Sequence, residues 1–324
     1  KDLEFIDPYE FVIDEFDDVD YEPVADPEPV FGDPETGQVA PSDDIQAIIA
    51  DVMGASSLAD IDPSTTAASE LVNNFGSGYI DLATGLDADG AAAILNTDNE
   101  LSPELIALAE ELETAPAGVQ ALLPTVDFSC SAPEVQAAVK AVLKSQFFPG
   151  NVIAQSTLFG PCVDAAEEAY DEAIADVVLE RDANIALIND NEAARLTEAD
   201  TRYNTRLTTQ EADYDANEAA ILATVEDLIA AVAAAEALGD TALADSLRLM
   251  ALFTAVDGRG DLLEWNTAVI ACLEDLRDQE IAEIQQLADD RLAQVAVNFD
   301  AATAEADAAY IEAVNNCHNQ GAGN

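Results

Sequence analysis

The stretch CVDAAEEAYDEAIADVVLERDANIALINDNEAARL, residues 162–196, opens the run that decides the fold. From Val163 to Leu238 there is neither glycine nor proline, and a helix of that length would extend about 114 Å at 1.5 Å per residue. Gly239-Asp240 interrupts it. A second such run covers Asp240–Asp257, and Gly258-Arg259-Gly260 predicts a break before a third run from Asp261 to His318. One unbroken arm leads out and a once-broken arm leads back. The expected fold is mainly α: a long antiparallel helical hairpin, a small helical domain and an extended N-terminal strand arm.

Apolar residues recur every eleven positions in both arms: Val163, Ile174, Ile185, Leu196 and Leu207 on the way out, Leu273, Ile284 and Val295 on the way back. Eleven residues in three turns is 3.67 per turn, a period of straight or slightly right-handed helix pairs. Further out, Leu207, Tyr214, Ile221 and Leu228 return to a heptad.

A turn between Gly239 and Asp240 sets Cys162 opposite Cys317. A bridge there would close a loop of about 154 residues and stabilise by ~3–5 kcal/mol on the chain-entropy account. By elimination Cys130 would pair with Cys272, which requires the preceding domain to lie alongside the helices; intermolecular bridging is the alternative. No Cys/His spacing suggests zinc.

The domains read as an acidic extended arm and donor strand over 1–40, a small mostly helical domain over 41–160, the hairpin over 161–318 turning near 239–240, and a flexible tail over 319–324. The arm carries Pro8, Pro23, Pro27, Pro29 and Pro34 and only one base, Lys1. Its large apolar residues Leu3, Phe5, Tyr9, Phe11 and Ile13 fall on odd positions, the period of a strand. A lone strand needs a partner, either its own body or a neighbouring subunit. In 41–160, Ser42 and Ser102-Pro103 mark helix starts, Ser131–Glu134 has the capping-box form, and a small hairpin is expected near Phe147–Phe159.

Eleven Lys+Arg against 66 Asp+Glu give a net charge of −55. Such a surface repels nucleic acid and anionic lipid, and suits cations or a salty medium. No uncharged apolar run reaches 18 residues, so no transmembrane segment is expected. The chain opens at Lys1 with no apolar leader, which reads as a secreted protein whose export signal has been removed.

No catalytic constellation stands out, and the single histidine, His318, lies beside a polar tail. The expectation is no enzyme. Asp87-Ala88-Asp89-Gly90 resembles the core of a calcium loop but departs from the full pattern at Gly85 and Asn96. A looser Ca²⁺ site would use Asp81, Asp87, Asp89 and Asp98. Arg259-Gly260-Asp261 spells a tripeptide that integrins read. Arg181, Arg195, Arg202, Arg206, Arg277 and Arg291 cluster on the two arms, either in helical pairs with acids or as receivers of a neighbour's acidic arm.

The quoted stretch, with its A-x-x-A-Y steps after a bounding cysteine, resembles alanine-rich secreted long-helix proteins of bacteria such as planctomycetes, over roughly residues 160–318. The resemblance implies export and a surface or extracellular structural role. The function expected is a structural subunit of an extracellular filament, fibre or surface layer, a homopolymer built through the arm and the helical stalk. Divalent cations would join its acidic surfaces. A stalked cell-surface adhesin and a viral fibre protein are the competing expectations.

Overall fold

The computed structural model describes residues 9–130 and 160–319. Leu3, Phe5, the Ser131–Glu134 capping box, the hairpin expected near Phe147–Phe159 and the tail beyond Asn319 lie outside them. In chain order the elements are α1 (Glu10–Ile13), β1 (Gln38–Ala40), α2 (Asp43–Gly54), α3 (Pro63–Gly76), α4 (Ile80–Thr84), α5 (Ala88–Leu95), α6 (Pro103–Leu112), α7 (Ala117–Gln120), β2 (Thr125–Asp127), α8 (Pro161–Leu238) and α9 (Thr241–Asn319). The protein is mainly α, with α8 and α9 packed against each other and β1 paired antiparallel with β2.

The turn between the long helices falls at Gly239, whose φ of +83° lies in the left-handed region that costs other residues about 1–2 kcal/mol. The N–H of Asp240 donates to the carbonyl of Ala235, closing α8. The Asp240 carboxylate then accepts from the N–H of Leu243 and opens α9.

The break expected at Gly258-Arg259-Gly260 does not occur: α9 runs through it. Glycine is an unfavourable helix residue, not a forbidden one. Gly258 is there for close approach, since a Cβ on it would lie 2.8 Å from Cγ2 of the buried Ile221. Arg259 reaches out of the helix and donates to the carbonyls of Ile94, Asn96, Thr97 and Asn99, tying down the last turn of α5 and the chain that follows it.

Two compact units share these elements. Among the described residues, one comprises 9–31, 160–201 and 278–319; the other comprises 32–130 and 202–277.

In the first unit the helices meet through small residues. Ala288 and Ala302 are buried with Val177, Ile188 and Val295, and Ala166 is buried with Ala313 in a separate cluster. Where α8 begins and α9 ends, Cys162 and Cys317 form a disulfide with Cα atoms 5.9 Å apart. Tyr170 and Tyr310 pack next to it, ring centroids 5.4 Å apart.

The second unit holds the larger core. Phe253, Leu249, Met250 and Leu252 of α9 pack with Val72 of α3, Ile45 and Val52 of α2, and Leu108 and Leu112 of α6. Phe75 meets Phe253 edge-on at 5.7 Å. A second cluster gathers around Trp265, whose indole N–H donates to the carbonyl of Thr36. Caps begin the short helices: Ser42 accepts from the N–H of Ile45, Asp62 from that of Ser64, and Ser102 from that of Leu105. Cys130 bridges Cys272 in α9 with Cα atoms 6.2 Å apart, within the same chain.

Candidate functional site

The acidic arm does not form the expected strand in its first part. Residues 10–16 wind into α1 and a 3-10 turn, held by N–H donation from Val12 to Tyr9, Asp17 to Asp14 and Val19 to Phe16. The buried residues are therefore Val12 and Phe16, four apart, while Ile13 is 48% exposed. Odd-position alternation fails because a helical turn repeats every 3.6 residues. Of the five residues expected to mark the arm, Tyr9 and Phe11 pack half-buried with Val12 against Ala166 and Ala313, Ile13 faces outward, and Leu3 and Phe5 lie outside the described residues.

From residue 18 to 29 the arm has no regular secondary structure and pairs with no strand. Pro23, Pro27 and Pro29 explain why: each lacks an N–H and holds its predecessor extended. The main-chain carbonyls still need donors, and side chains of α8 and α9 supply them. Asn298 donates to the carbonyl of Glu22 at 2.6 Å. Asn184 brackets Val24, accepting its N–H at 2.8 Å and donating to its carbonyl at 3.2 Å. Its amide oxygen also accepts the hydroxyl of the buried Tyr21. Arg195 donates to the carbonyl of Asp26, and Arg291 to that of Pro27 at 2.8 Å.

Asp26 is the anchor. Its side chain is 2% exposed and lies between the equally enclosed guanidinium groups of Arg195 and Arg291. Arg195 reaches it at 2.7 Å, Arg291 forms a second ion pair, and Asn191 donates to its other oxygen at 2.7 Å. Burial opposes ionisation, but the hydrogen bonds from Arg195 and Asn191 and the charges of Arg291 and Arg195 outweigh it, so the carboxyl sits below its usual range. Burial lowers Arg291, with the neighbouring Arg195 charge adding to it, whereas the bonds to Asp26 overcome burial and raise Arg195. Glu28, more exposed, adds a further contact to Arg195 at 3.3 Å. Arg195 and Arg291 are thus held by the Asp26 carboxylate and the carbonyls of Asp26 and Pro27, with the Glu28 carboxylate at the edge of Arg195. Of the six clustered arginines, Arg195 and Arg291 hold this chain's own acidic arm, while Arg181 pairs with its neighbour Asp182 and lies over the Phe299 ring, and Arg277 lies over the Tyr203 ring.

The signal for this was present in the sequence in polar form. Ala166, Val177, Ile188, Ala199, Gln210, Ile221 and Val232 are all buried and eleven apart; Asn184, Arg195, Arg206 and Asn217 form a second buried row with the same spacing. The apolar rows found from sequence flank these. A search restricted to large apolar residues misses a period carried by alanine, asparagine and arginine.

In the second unit Arg206 repeats the motif, donating to the carbonyl of Gly32 at 2.8 Å and to the carboxylate of Asp33 at 3.0 Å. Beside it lies a cleft of about 130 Å³ lined by Thr36, Thr205, Thr209, Gln210 and Asp213. Pockets that bury a drug-sized ligand start near ~300 Å³.

The calcium site does not assemble. Asp81 sits in the first turn of α4, Asp89 in that of α5, and Asp87 is spent capping α5, accepting from the N–H of Gly90 at 2.8 Å. The N–H of Asp98 bonds the side chain of Asn96. Among the described residues no group of three or more His, Cys, Asp or Glu converges as a metal site. The Arg259-Gly260-Asp261 tripeptide lies inside α9 with Arg259 buried, so it presents no receptor loop.

Sequence reasoning missed one acidic cluster. Asp257 and Asp261, one helical turn apart on α9, are half-buried. Burial, with the charge of Glu113, pushes Asp257 up to about 6. Burial, with the charges of Asp257 and Glu264, pushes Asp261 up to about 8.

Among the described residues no helix is long and apolar enough to cross a membrane. No family model matches the chain, and no curated protein and no solved structure matches it.

Proposed function

We propose that this protein is a structural subunit of an extracellular filament, fibre or surface layer, assembling with copies of itself through its N-terminal arm and helical stalk. The observation that carries the reading is a helical pair clipped by a disulfide and completed by a separate N-terminal segment. Helices of 78 and 79 residues suit a stalk that sets spacing. Two disulfides suit an oxidising compartment. The resemblance to alanine-rich surface proteins of planctomycete-type bacteria points the same way. The strongly acidic surface keeps assembled material soluble and lets divalent cations act between surfaces rather than at a built site. We assign the chain no catalytic role.

Negative-stain microscopy of the purified full-length protein in high salt with and without Ca²⁺ tests the reading. Filaments or sheets are expected. Dispersed single copies at every concentration and ionic condition overturn it.

A further inference from the structure

We propose that residues 9–31 form an exchangeable segment: the groove made by Asn184, Asn191, Arg195, Arg291 and Asn298 takes the same segment from a second copy of this chain. One molecule's arm then completes another molecule's helical pair. The inference rests on the structural-subunit reading and names the contact through which copies would join.

Three observations carry it. First, no covalent bond fastens the arm to the helices it lies on. The first half-cystine is Cys130, and both disulfides join residues at or beyond it. The arm can leave its groove without breaking a bond.

Second, the groove is incomplete when empty. Val12 and Phe16 pack on Ala166 and Ala313; Val19, Tyr21 and Val24 pack with Val177, Ile188, Ala288 and Ala302. Lifting the segment bares two apolar patches, one around Ala166 and Ala313 and one around Val177, Ile188, Ala288 and Ala302, together with two guanidinium groups, surface of the kind that recruits a partner. Its best-fitting occupant is another extended acidic segment with the same sequence.

Third, the groove reads the segment mainly through main-chain carbonyls, at Glu22, Val24, Asp26 and Pro27, plus the enclosed carboxylate of Asp26 and the more exposed one of Glu28. Those bonds are identical whichever copy supplies the segment. Exchange therefore conserves the contacts of the closed form, which makes segment swapping a low-cost route to association. The geometry is that of donor-segment recognition, with asparagine and arginine side chains standing where a sheet edge would supply the main-chain bonds.

The experiment uses the full chain. A light-isotope protein carries photoreactive benzoylphenylalanine in place of the exposed Glu22, and a heavy-isotope protein is left unmodified. The two are mixed in equal amounts under assembly conditions, irradiated and digested. Exchange predicts light arm peptides joined to α8 or α9 peptides of light and heavy copies in comparable yield. Links confined to light–light pairs in assembled material overturn exchange, even where filaments are present, and leave the filament reading standing. Mixed links without filaments support exchange and overturn the filament reading. Asp26→Ala in the light chain serves as the second variant: links to either copy should fall at least fivefold. Undiminished mixed links would show that the proposed groove is not the acceptor, and overturn the proposal.

Discussion

Asp26 shows how one carboxylate can hold a segment in place. Replacing it with alanine leaves Arg195 and Arg291 facing each other under the arm, and an unpaired buried charge costs about 3–5 kcal/mol. The arginines recover their hydration if the arm lifts, so the loss is capped at the free energy of docking. Asp26→Ala should therefore speed amide exchange across residues 17–31 strongly and leave the melting of the long helices almost unchanged. The pH dependence has a definite sign. A carboxyl held below its usual range contributes stability above the unfolded value and loses it as pH falls through the folded value. Arm protection, followed by hydrogen exchange, should persist at neutral pH and fail in acid below about pH 4. Asp257 and Asp261 work in the other direction. Their raised values penalise the folded state increasingly as pH climbs from the unfolded carboxylate range towards about 8. One oxygen of Asp261 is buried without a hydrogen-bond partner. Asp261→Asn, which cannot ionise, removes the penalty of charging a buried carboxyl beside Asp257 and Glu264, so it should raise stability at pH 8 and flatten the fall between pH 5 and 8 in denaturant titrations. None of this was legible beforehand. Among 66 acids no pair is distinguished until the fold decides which are buried.

Helices of this length were legible because their signal is an absence: no glycine or proline from Val163 to Leu238, with a period that repeats in both directions. The false break at Gly258 and the false strand at residues 9–16 share a cause. At both places packing overrides local propensity. Gly258 fits against Ile221, and Val12 and Phe16 find an alanine-lined surface that suits a helical turn. The two glycines should now behave oppositely. A Cβ at Gly260 meets nothing within 4 Å, so Gly260→Ala should stabilise α9 by about 1 kcal/mol, the intrinsic helix preference. Gly258→Val should destabilise by roughly 1–3 kcal/mol through overpacking against Ile221. Chemical denaturation of the two variants side by side checks both signs. The paired strands β1 and β2 escaped notice because three residues each are too few to show a period.

Net charge sets the response of the protein to its medium. With −55 distributed over one chain, self-repulsion opposes compactness. Raising salt from about 0.1 M to 1 M shortens the screening length from ~10 Å to ~3 Å. The melting temperature should rise over that range, because exposed acids are relieved while the enclosed Asp26–Arg195 pair is screened much less. A melting temperature independent of salt would contradict that account. The Cys162–Cys317 pairing was legible from symmetry about the turn, whereas the Cys130 partner followed only by elimination.

Each sulfur bridge joins a residue before the Gly239 turn to one after it: Cys130 to Cys272, and Cys162 to Cys317. A protease that nicks the turn consequently releases no fragment. The severed halves stay tethered at two points, migrate together on a non-reducing gel, and part only when thiol reductant is added. That topology makes the exposed joint between the long helices an expendable one.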